Sequence, residues 1–201
     1  MFYRFVRAVV CVLSRVFFRF QIVGADLVPA EGRLILCANH TNILDVPFLA
    51  ACTRRSIVFM AKKELFRSRL SRFLLGKLRA IPVNRDGNDA YSLKCALTAL
   101  KEEKVLGIFP EGTRQHNRDG KMIFKPGVSM LAIKTQTPVV PVYIKGNYRL
   151  FCKMTAIIGE PIELSSYYGK KLTGEDYVRI ANEEIAGRLV SLKEENITFR
   201  R

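Results

Sequence analysis

Histidine is scarce in this chain, whose 201 residues include only His40 and His116. The chain also has only five cysteines: Cys11, Cys37, Cys52, Cys95 and Cys152. They are scattered along the sequence, their number is odd, and no two of them are spaced as Cys-x-x-Cys. Structural zinc sites need clusters of these residue types, and disulfide frameworks need paired cysteines. We therefore predict that the protein binds no metal and that its thiols are reduced and mostly buried, as in a cytosolic compartment.

Further absences narrow the class of protein. The chain lacks a Gly-x-Ser-x-Gly sequence, the turn that carries the nucleophile of many serine hydrolases, and has no cysteine in an activating context. Near the N terminus the longest uncharged run is residues 8–14, well below the roughly 20 residues that a membrane-spanning helix needs. Arg15 interrupts the apolar core expected of a signal peptide. Without repeats or a linker, the length fits one domain with a sizeable core.

Acidic side chains are few, with 18 Asp and Glu against 33 Lys and Arg and a net charge of +15. Residues 1–20 and 54–85 together supply thirteen of the fifteen net positive charges. Such a surplus suits a nucleic acid or an anionic membrane. In the second segment the basic residues are interleaved with large apolar ones, which favours the membrane: Leu65, Phe66, Leu70, Phe73, Leu74 and Leu75.

The first twenty residues have the pattern of an amphipathic helix. At 100° per residue, the four arginines of this segment fall within an arc of roughly 120°, and apolar side chains occupy most of the rest. A narrow cationic stripe beside a broad apolar face is typical of a helix that lies in the membrane interface, with its arginines reaching lipid phosphates. We predict such a helix over residues 1–20. The alternative is that it packs against the domain formed by residues 21–201.

Alternating strand-like runs and amphipathic segments predict an α/β fold, with one domain that has a mixed, mostly parallel sheet flanked by helices. The predicted strands cover residues 20–23, 33–38, 57–60, 81–83, 105–109, 139–144 and 155–158. The predicted helices after the first cover residues 45–53, 62–78 (one helix or a pair), 89–104, 128–136 and 174–193. Asp89 is the predicted N-cap of the helix over residues 89–104.

One histidine stands at a point where general-base chemistry is expected. His40 follows the apolar run 34–38, a predicted buried strand, and Asp45 comes five residues later. Near neutral pH an imidazole accepts a proton, and a neighbouring carboxylate fixes its tautomer and stabilises the imidazolium. A histidine and an aspartate also occur at this spacing by chance, so the pair alone leaves the catalytic interpretation open.

Two further polar clusters follow predicted strands. Residues 109–114, Phe-Pro-Glu-Gly-Thr-Arg, come after the apolar run 105–108, and Arg85 comes after the strand at 81–83. Glycine lets a ligand approach the backbone closely, and arginine offers a planar fork of donors that suits a phosphate. Because α/β sheets bind ligands outside the carboxyl ends of their strands, we expect the three clusters to share one rim. The alternative is a set of solvated surface turns.

Together these segments resemble the glycerolipid acyltransferase family, and most closely the 1-acylglycerol-3-phosphate (lysophosphatidic acid) acyltransferases. The four sequence blocks of that family are matched in order by Asn39, His40 and Asp45 (NHxxxxD), by Pro82 to Arg85, by Phe109 to Arg114 (FPEGTR, letter for letter) and by Val139 to Val142. The resemblance runs from about residue 20 to about residue 165. One departure is Asn42, where many members have serine; both are small polar helix-capping residues.

The resemblance implies an enzyme that moves a fatty acyl group from acyl-CoA or acyl carrier protein to the sn-2 hydroxyl of 1-acylglycerol-3-phosphate, which forms phosphatidic acid in phospholipid biosynthesis. It implies His40 as the general base and Asp45 as its orienting partner, without a metal or other cofactor. The residues expected to bind the acceptor are Arg85, Glu111, Gly112, Thr113 and Arg114, with Lys125 as a further candidate cation. The expected location is the cytoplasmic face of the cell membrane, where a peripheral or monotopic protein contacts anionic lipids.

Other functions stay open at this point. Within the same family, the acceptor is alternatively glycerol-3-phosphate or another lysophospholipid. A non-catalytic lipid-binding protein would keep the fold, although the intact pair of His40 and Asp45 argues against lost catalysis. A nucleic-acid-binding protein would use the same positive charge, but the phenylalanines have the spacing of a core or a membrane face, so we expect no nucleic acid partner.

Overall fold

The computed structural model of the chain describes residues 2–84, 89–112 and 122–198. In these residues seven strands form one sheet: β1 (Gln21–Val23), β2 (Leu34–Ala38), β3 (Ile57–Lys62), β4 (Ile81–Val83), β5 (Val105–Ile108), β6 (Val139–Gly146) and β7 (Met154–Ile158). The α-helices are α1 (Phe2–Phe18), α2 (Asp45–Ala51), α3 (Arg69–Lys77), α4 (Ala90–Lys101), α5 (Gly127–Thr135), α6 (Gly174–Ile180) and α7 (Gly187–Thr198). Short 3-10 helices cover Ala25–Leu27, Lys63–Phe66 and Ser165–Tyr167, and a π-helix covers Ala181–Ala186.

The sheet has the strand order β1-β7-β6-β2-β5-β3-β4, and its one antiparallel pair is β6 with β7. Strand β2 lies at the centre, where Leu36 is paired with Val140 of β6 on one side and with Gly107 of β5 on the other. Strands β2 to β6 run parallel, so their carboxyl ends meet at one edge of the sheet. This arrangement confirms the predicted mixed, mostly parallel sheet.

Helices cover both faces of the sheet, so its central strands are buried on both sides. Successive residues of β2 point to opposite faces. Leu34 and Leu36 belong to a core cluster with α2, while Ile35 and Cys37 belong to a second cluster with α4, α5 and residues 180–189. All five residues of β2 are buried. The loop that follows β2 therefore starts from a fully buried strand.

Most predicted elements are present with slightly different bounds. Asp89 caps α4 as predicted, because its side chain accepts a hydrogen bond from the Ser92 N–H at 3.0 Å. The predicted helix over 89–104 ends earlier, at Lys101, and Glu103 then adopts a left-handed backbone with φ of 57°. That conformation turns the chain sharply toward β5.

Two predicted helical segments are divided in the structure, and for residues 62–78, predicted as one helix or a pair, the outcome is a pair. Residues 62–78 form a 3-10 helix followed by α3, whose N-cap Ser68 accepts a hydrogen bond from the Ser71 N–H. The helix predicted over 174–193 extends to Thr198, but a π-helix separates α6 from α7. Asn182 in this π-helix bonds both backbone groups of Phe124, and local periodicity does not encode such a long-range contact.

Helix α1 packs against α2 with one face and leaves the other face exposed. On the inward face, the Tyr3 hydroxyl accepts a hydrogen bond from the Ile57 N–H at 2.9 Å, and Arg7 Nε donates to the Thr53 carbonyl at 2.6 Å. The arginine stripe therefore does not lie wholly on the solvent side, because Arg7 faces the domain. The outward face carries exposed apolar residues: Phe2, Phe5, Val9, Val12, Leu13, Val16 and Phe17.

Three further expectations concern the thiols, membrane-spanning helices and metal sites. All five cysteines are unpaired, and Cys37 and Cys52 are buried. Burial raises the pKa of the Cys52 thiol to about 12, so it stays protonated at neutral pH. Within the described ranges, no helix combines the length and apolar character needed to cross a bilayer. In the same ranges, no group of three or more His, Cys, Asp or Glu side chains is placed to hold a metal ion.

Candidate active site

The candidate active site lies at the carboxyl end of the central strand. Strand β2 ends at Ala38, and Asn39 and His40 follow it directly. Helix α2 then begins at Asp45, whose carboxylate returns to the histidine. His40 Nδ1 and Asp45 Oδ2 are 3.1 Å apart. The structure thus brings together the two residues that the sequence indicated as a base and its orienting partner.

Asp45 is fully buried, and four donors surround its carboxylate. The backbone N–H groups of Thr41 and Asn42 each donate to Oδ2 at 2.7 Å, and the Tyr148 hydroxyl donates to Oδ1. Because Oδ2 also accepts from the imidazole, we assign the ring proton of His40 to Nδ1. That tautomer leaves the lone pair on Nε2, where a substrate proton can be accepted.

Phe109 brings the segment after β5 to the histidine. The rings of His40 and Phe109 are stacked, with centroids 4.3 Å apart and planes inclined by 25°. The His40 side chain keeps 11% of its exposure, so the ring is mostly enclosed but not sealed from solvent. An imidazole held by a carboxylate at one nitrogen and by an aromatic ring on one face has little rotational freedom.

Glu111 is a second titratable group enclosed at this edge, with only 6% of its surface exposed. Burial raises the pKa of its carboxyl from the usual 4.5 to about 7; the backbone N–H of His40 opposes this shift, and the charge of Asp45 adds to it. Among the described residues, Oε2 of Glu111 has no hydrogen-bond partner. Leaving a buried oxygen unpaired costs free energy, so Oε2 is chemically able to gain from a hydrogen-bond donor brought by a ligand.

Gly112 has a left-handed backbone with φ of 73°, and its missing side chain makes room for Lys125. A Cβ atom at this position would lie 2.8 Å from Lys125 Cε. The backbone N–H of Lys125 also donates to the Pro110 carbonyl at 3.0 Å. Lys125, which the sequence indicated as an extra cation, is therefore held against the segment that contains Glu111.

Three of the predicted acceptor-binding residues, Arg85, Thr113 and Arg114, lie outside the described residues. Their contacts with a phosphate or a glycerol group therefore stay a prediction. The elements that lead to them, β4 and β5, both end at the edge of the sheet where His40 lies.

Sequence reasoning missed Tyr148 and the structural role of Asn39. Besides its bond to Asp45, the Tyr148 hydroxyl lies 2.8 Å from Thr41 Oγ1. The Asn39 side chain pairs with both backbone groups of Ile144, at 2.9 and 2.7 Å, and so ties the end of β2 to β6. One signal for Tyr148 was available, because it follows β6, whose carboxyl end lies at the same edge of the sheet.

Comparison with known proteins assigns a family to this arrangement. A family model described as Acyltransferase matches residues 19–145. The chain is 31% identical over 153 residues to the 1-acyl-sn-glycerol-3-phosphate acyltransferase of Bacillus subtilis, a match that covers 73% of this chain and 75% of the relative. It is 29% identical over 191 residues to the protein of the same name from Streptococcus pneumoniae, covering 90% of this chain and 70% of that relative.

A solved structure shows the same likeness. The crystal structure of the 1-acyl-sn-glycerophosphate (LPA) acyltransferase PlsC from Thermotoga maritima superposes with a TM-score of 0.71 at 25% sequence identity, and the match covers 95% of this chain and 81% of that chain. The family match begins just before β1 and ends within β6, so it contains His40, Asp45 and Glu111. This chain therefore belongs to the acyltransferase family.

Proposed function

We propose that this enzyme transfers a fatty acyl group from a thioester to the sn-2 hydroxyl of 1-acylglycerol-3-phosphate, which yields phosphatidic acid for phospholipid biosynthesis. Membership of the acyltransferase family and the activity named for the bacterial relatives support this proposal. The observation that carries it is the 3.1 Å contact of His40 Nδ1 with the buried Asp45 carboxylate, which leaves Nε2 to take a proton.

In the proposed reaction, Nε2 of His40 removes the proton of the acceptor hydroxyl while that oxygen attacks the carbonyl carbon of the thioester. The carbon–sulfur bond then breaks, and the imidazolium returns the proton to the departing thiolate. Asp45 stabilises the imidazolium in the way the carboxylate does in a serine–histidine–aspartate triad. Because the acceptor alcohol takes the place of the serine, no acyl-enzyme forms.

The acceptor is bound, in this proposal, by groups that converge on the same edge. Glu111 offers its unpaired Oε2 to a glycerol hydroxyl, and Thr113 lies two residues further along the chain. Lys125, Arg85 and Arg114 supply cations for the phosphate, since charge-assisted contacts to a dianion are stronger than neutral ones. Holding the hydroxyl beside the base supplies much of the rate acceleration. The donor is acyl-CoA or acyl carrier protein, and both carriers are acidic and suit the charge of +15.

We further propose that residues 1–20 form an interfacial anchor for the acyltransferase domain 21–201 at the cytoplasmic face of the membrane. The apolar outward face of α1 continues onto the β6–β7 connection, where the ring centroids of Phe17 and Phe151 are 6.1 Å apart. Leu150 and Phe151 are themselves exposed. Apolar side chains on a basic helix are the expected means of binding to anionic lipid.

Replacement of His40 tests the proposed base. His40→Ala and His40→Gln should each lower acyl transfer to lysophosphatidic acid by about 10²–10⁴-fold, because general-base catalysis contributes that much. Circular dichroism and thermal melting verify that each variant is folded. His116→Ala, at the other histidine of the chain, is the matched control for loss of an imidazole. A folded His40 variant with near-normal turnover would remove the histidine from the mechanism.

An acceptor panel separates the proposed substrate from the alternatives. Lysophosphatidic acid, glycerol-3-phosphate and other lysophospholipids are assayed with acyl-CoA and with acyl carrier protein as donors. We expect the highest kcat/KM with lysophosphatidic acid. A clear preference for glycerol-3-phosphate, or for a lysolipid with a substituted phosphate, would instead assign one of the alternative acceptors.

A further inference from the structure

Helix α3 is amphipathic, and its apolar face points to solvent. At 100° per residue, Leu70, Phe73 and Leu74 project within an arc of roughly 100°. These three side chains are 69%, 59% and 40% exposed, and no residue of α3 is buried. A contiguous exposed apolar patch of this kind marks an interaction surface, because exposed apolar side chains add no stability to the fold.

The charges around this face identify the kind of partner. Residues 62–79 contain seven lysines and arginines and a single acid, Glu64. Lys77 lies within the apolar arc, and its Nζ is 5.5 Å from the centroid of the Phe73 ring. The cation and the apolar side chains therefore share one surface, as where basic side chains meet a membrane interface. The α3 surface consists of the apolar Leu70, Phe73 and Leu74 and the cations Arg69 and Lys77.

The topology places the α3 surface beside the candidate active site. The 3-10 helix Lys63–Phe66 and α3 follow β3, whose carboxyl end lies at the edge where His40 is found. On the other side of β2, the β6–β7 connection presents the exposed Leu150 and Phe151 at that same edge, in contact with α1. Two exposed apolar surfaces therefore lie on opposite sides of the end of β2.

We propose that the α3 surface is a second membrane-docking surface, which inserts its apolar side chains into the interface of an anionic bilayer and binds lipid headgroups with its cations. Together with α1 it holds the chain on the membrane at both sides of His40. This inference rests on the proposed function, because it takes the acceptor to be a membrane lipid. Such a lipid reaches His40 without leaving the membrane interface. An anionic bilayer supplies both hydrocarbon and negative charge, which this surface requires together.

A single-tryptophan reporter tests the insertion directly, because the chain contains no tryptophan. Phe73→Trp places an indole on the α3 surface, and Lys134→Trp places one at the end of α5, which leads to the amino end of β6. Vesicles of phosphatidylglycerol and phosphatidylcholine should shift the emission of Phe73→Trp to the blue, and brominated lipid should quench it. Lys134→Trp should show neither effect. An indole at position 73 that stays in water on vesicle-bound protein overturns the proposal.

Charge removal tests the headgroup contacts. Arg69→Gln and Lys77→Gln combined should weaken binding to these vesicles by ~30-fold, given the contribution of each cation near an anionic surface. The matched control combines Lys170→Gln and Lys171→Gln, which remove the same charge from exposed positions elsewhere. The control should lose less than tenfold. Equal losses in both variants, or equal binding to pure phosphatidylcholine, overturn the proposal.

Acylation of a soluble acceptor distinguishes failure of this inference from failure of the proposed function. The α3 charge variant should acylate a short-chain, monomeric lysophosphatidic acid at the parent rate while binding vesicles weakly. Parent-like vesicle binding by this variant overturns the docking surface and leaves the acylation proposal intact. A parent enzyme without turnover on the soluble acceptor overturns the acylation proposal, and the vesicle measurements still decide the role of α3.

Discussion

At the level of single residues, Asp45 connects two separate parts of the chain through its carboxylate. Its own loop supplies the N–H groups of Thr41 and Asn42, and the loop after β6 supplies the hydroxyl of Tyr148. Burial raises the pKa of Tyr148 well above its usual 10, and the hydrogen bond to Asp45 adds to this, so the phenol stays a donor at neutral pH. Tyr148 therefore holds the carboxylate that contacts His40, and we expect it to act as a positioning residue.

Tyr148→Phe should lower kcat/KM by about 10–100-fold, the effect of losing one hydrogen bond to a charged group. The acidic limb of the kcat/KM profile should also move to higher pH, because a carboxylate with one donor fewer holds the imidazolium more strongly. Steady-state rates measured across pH values check both effects. Tyr167→Phe, which removes an exposed hydroxyl bonded to Glu184, is the matched control. A lower rate with an unmoved profile would show that Tyr148 is merely structural.

Glu111 should make the folded protein less stable as pH rises. Its pKa is about 7 in the folded state against 4.5 for an ordinary glutamate, so the folded state binds more protons between these values. Stability from this group is therefore fully present below pH ~4.5 and is lost as pH rises through about 7, by at most about 3 kcal/mol. Glu111→Gln should raise the melting temperature relative to the parent more at pH 8 than at pH 5. Glu160→Gln, at an exposed glutamate, should show no such difference; equal effects for both variants would rule out the burial argument.

At the level of elements, α1 has an unusual distribution of polarity. Its inward face bonds to the domain through Tyr3 and Arg7 and buries Ser14, while large apolar side chains occupy the outward face. A helix that only completed the core would have the opposite arrangement. Deletion of α1 would remove both faces at once, so substitutions on each face separate anchoring from folding.

The combined variant Phe5→Ser, Val12→Ser and Val16→Ser should bind anionic vesicles at least ~10-fold more weakly, because three apolar side chains no longer enter the interface. These positions are 68%, 60% and 57% exposed, so the melting temperature should change little. Arg7→Gln is the complementary control: it should lower the melting temperature and leave vesicle binding nearly unchanged. Vesicle flotation and thermal melting give both readings. The reverse pattern would show that the outward face serves folding and not membrane binding.

At the level of the whole molecule, the site depends on how closely the central strands and their side chains fit together. Strand β5 lies between β2 and β3, and Gly107 in its interior faces Phe59 of β3. A Cβ atom at Gly107 would lie 2.7 Å from Phe59 Cε1 and 2.8 Å from Ile57 Cγ2. Strand β5, which carries Phe109 at its carboxyl end, therefore packs this closely against β3 because position 107 has no side chain.

Gly107→Ala should destabilise the fold by about 1–3 kcal/mol, the usual cost of an overpacked core. Adding Phe59→Leu should restore part of the lost stability, because the smaller leucine side chain leaves room for the new methyl group. Urea unfolding of the parent, both single variants and the double variant measures this coupling. Gly76→Ala in α3 meets no atom within 4 Å and should be neutral or stabilising. Strict additivity of the two substitutions would contradict the proposed contact.

Much of the fold could be predicted because its signals are local. The order of strands and helices follows from apolar runs, and the start of α4 follows from Asp89 as its N-cap. The contact of His40 with Asp45 was predictable as well, because a short turn between β2 and α2 cannot separate residues five apart in sequence. The stack of His40 on Phe109 was indicated less directly, through the expectation that strand ends share one rim.

By itself, the amino-acid sequence determined the α/β class, the succession of elements and the pairing of His40 with Asp45, since each depends on residues close together along the chain. Only the tertiary structure decided that Tyr148, 103 residues after Asp45, completes the carboxylate's hydrogen bonds, and that the apolar faces of α1 and α3 point outward. The physical reason is the same in each case. Periodicity shows that a helix has an apolar face, but the strand order and the packing of distant segments determine what that face meets.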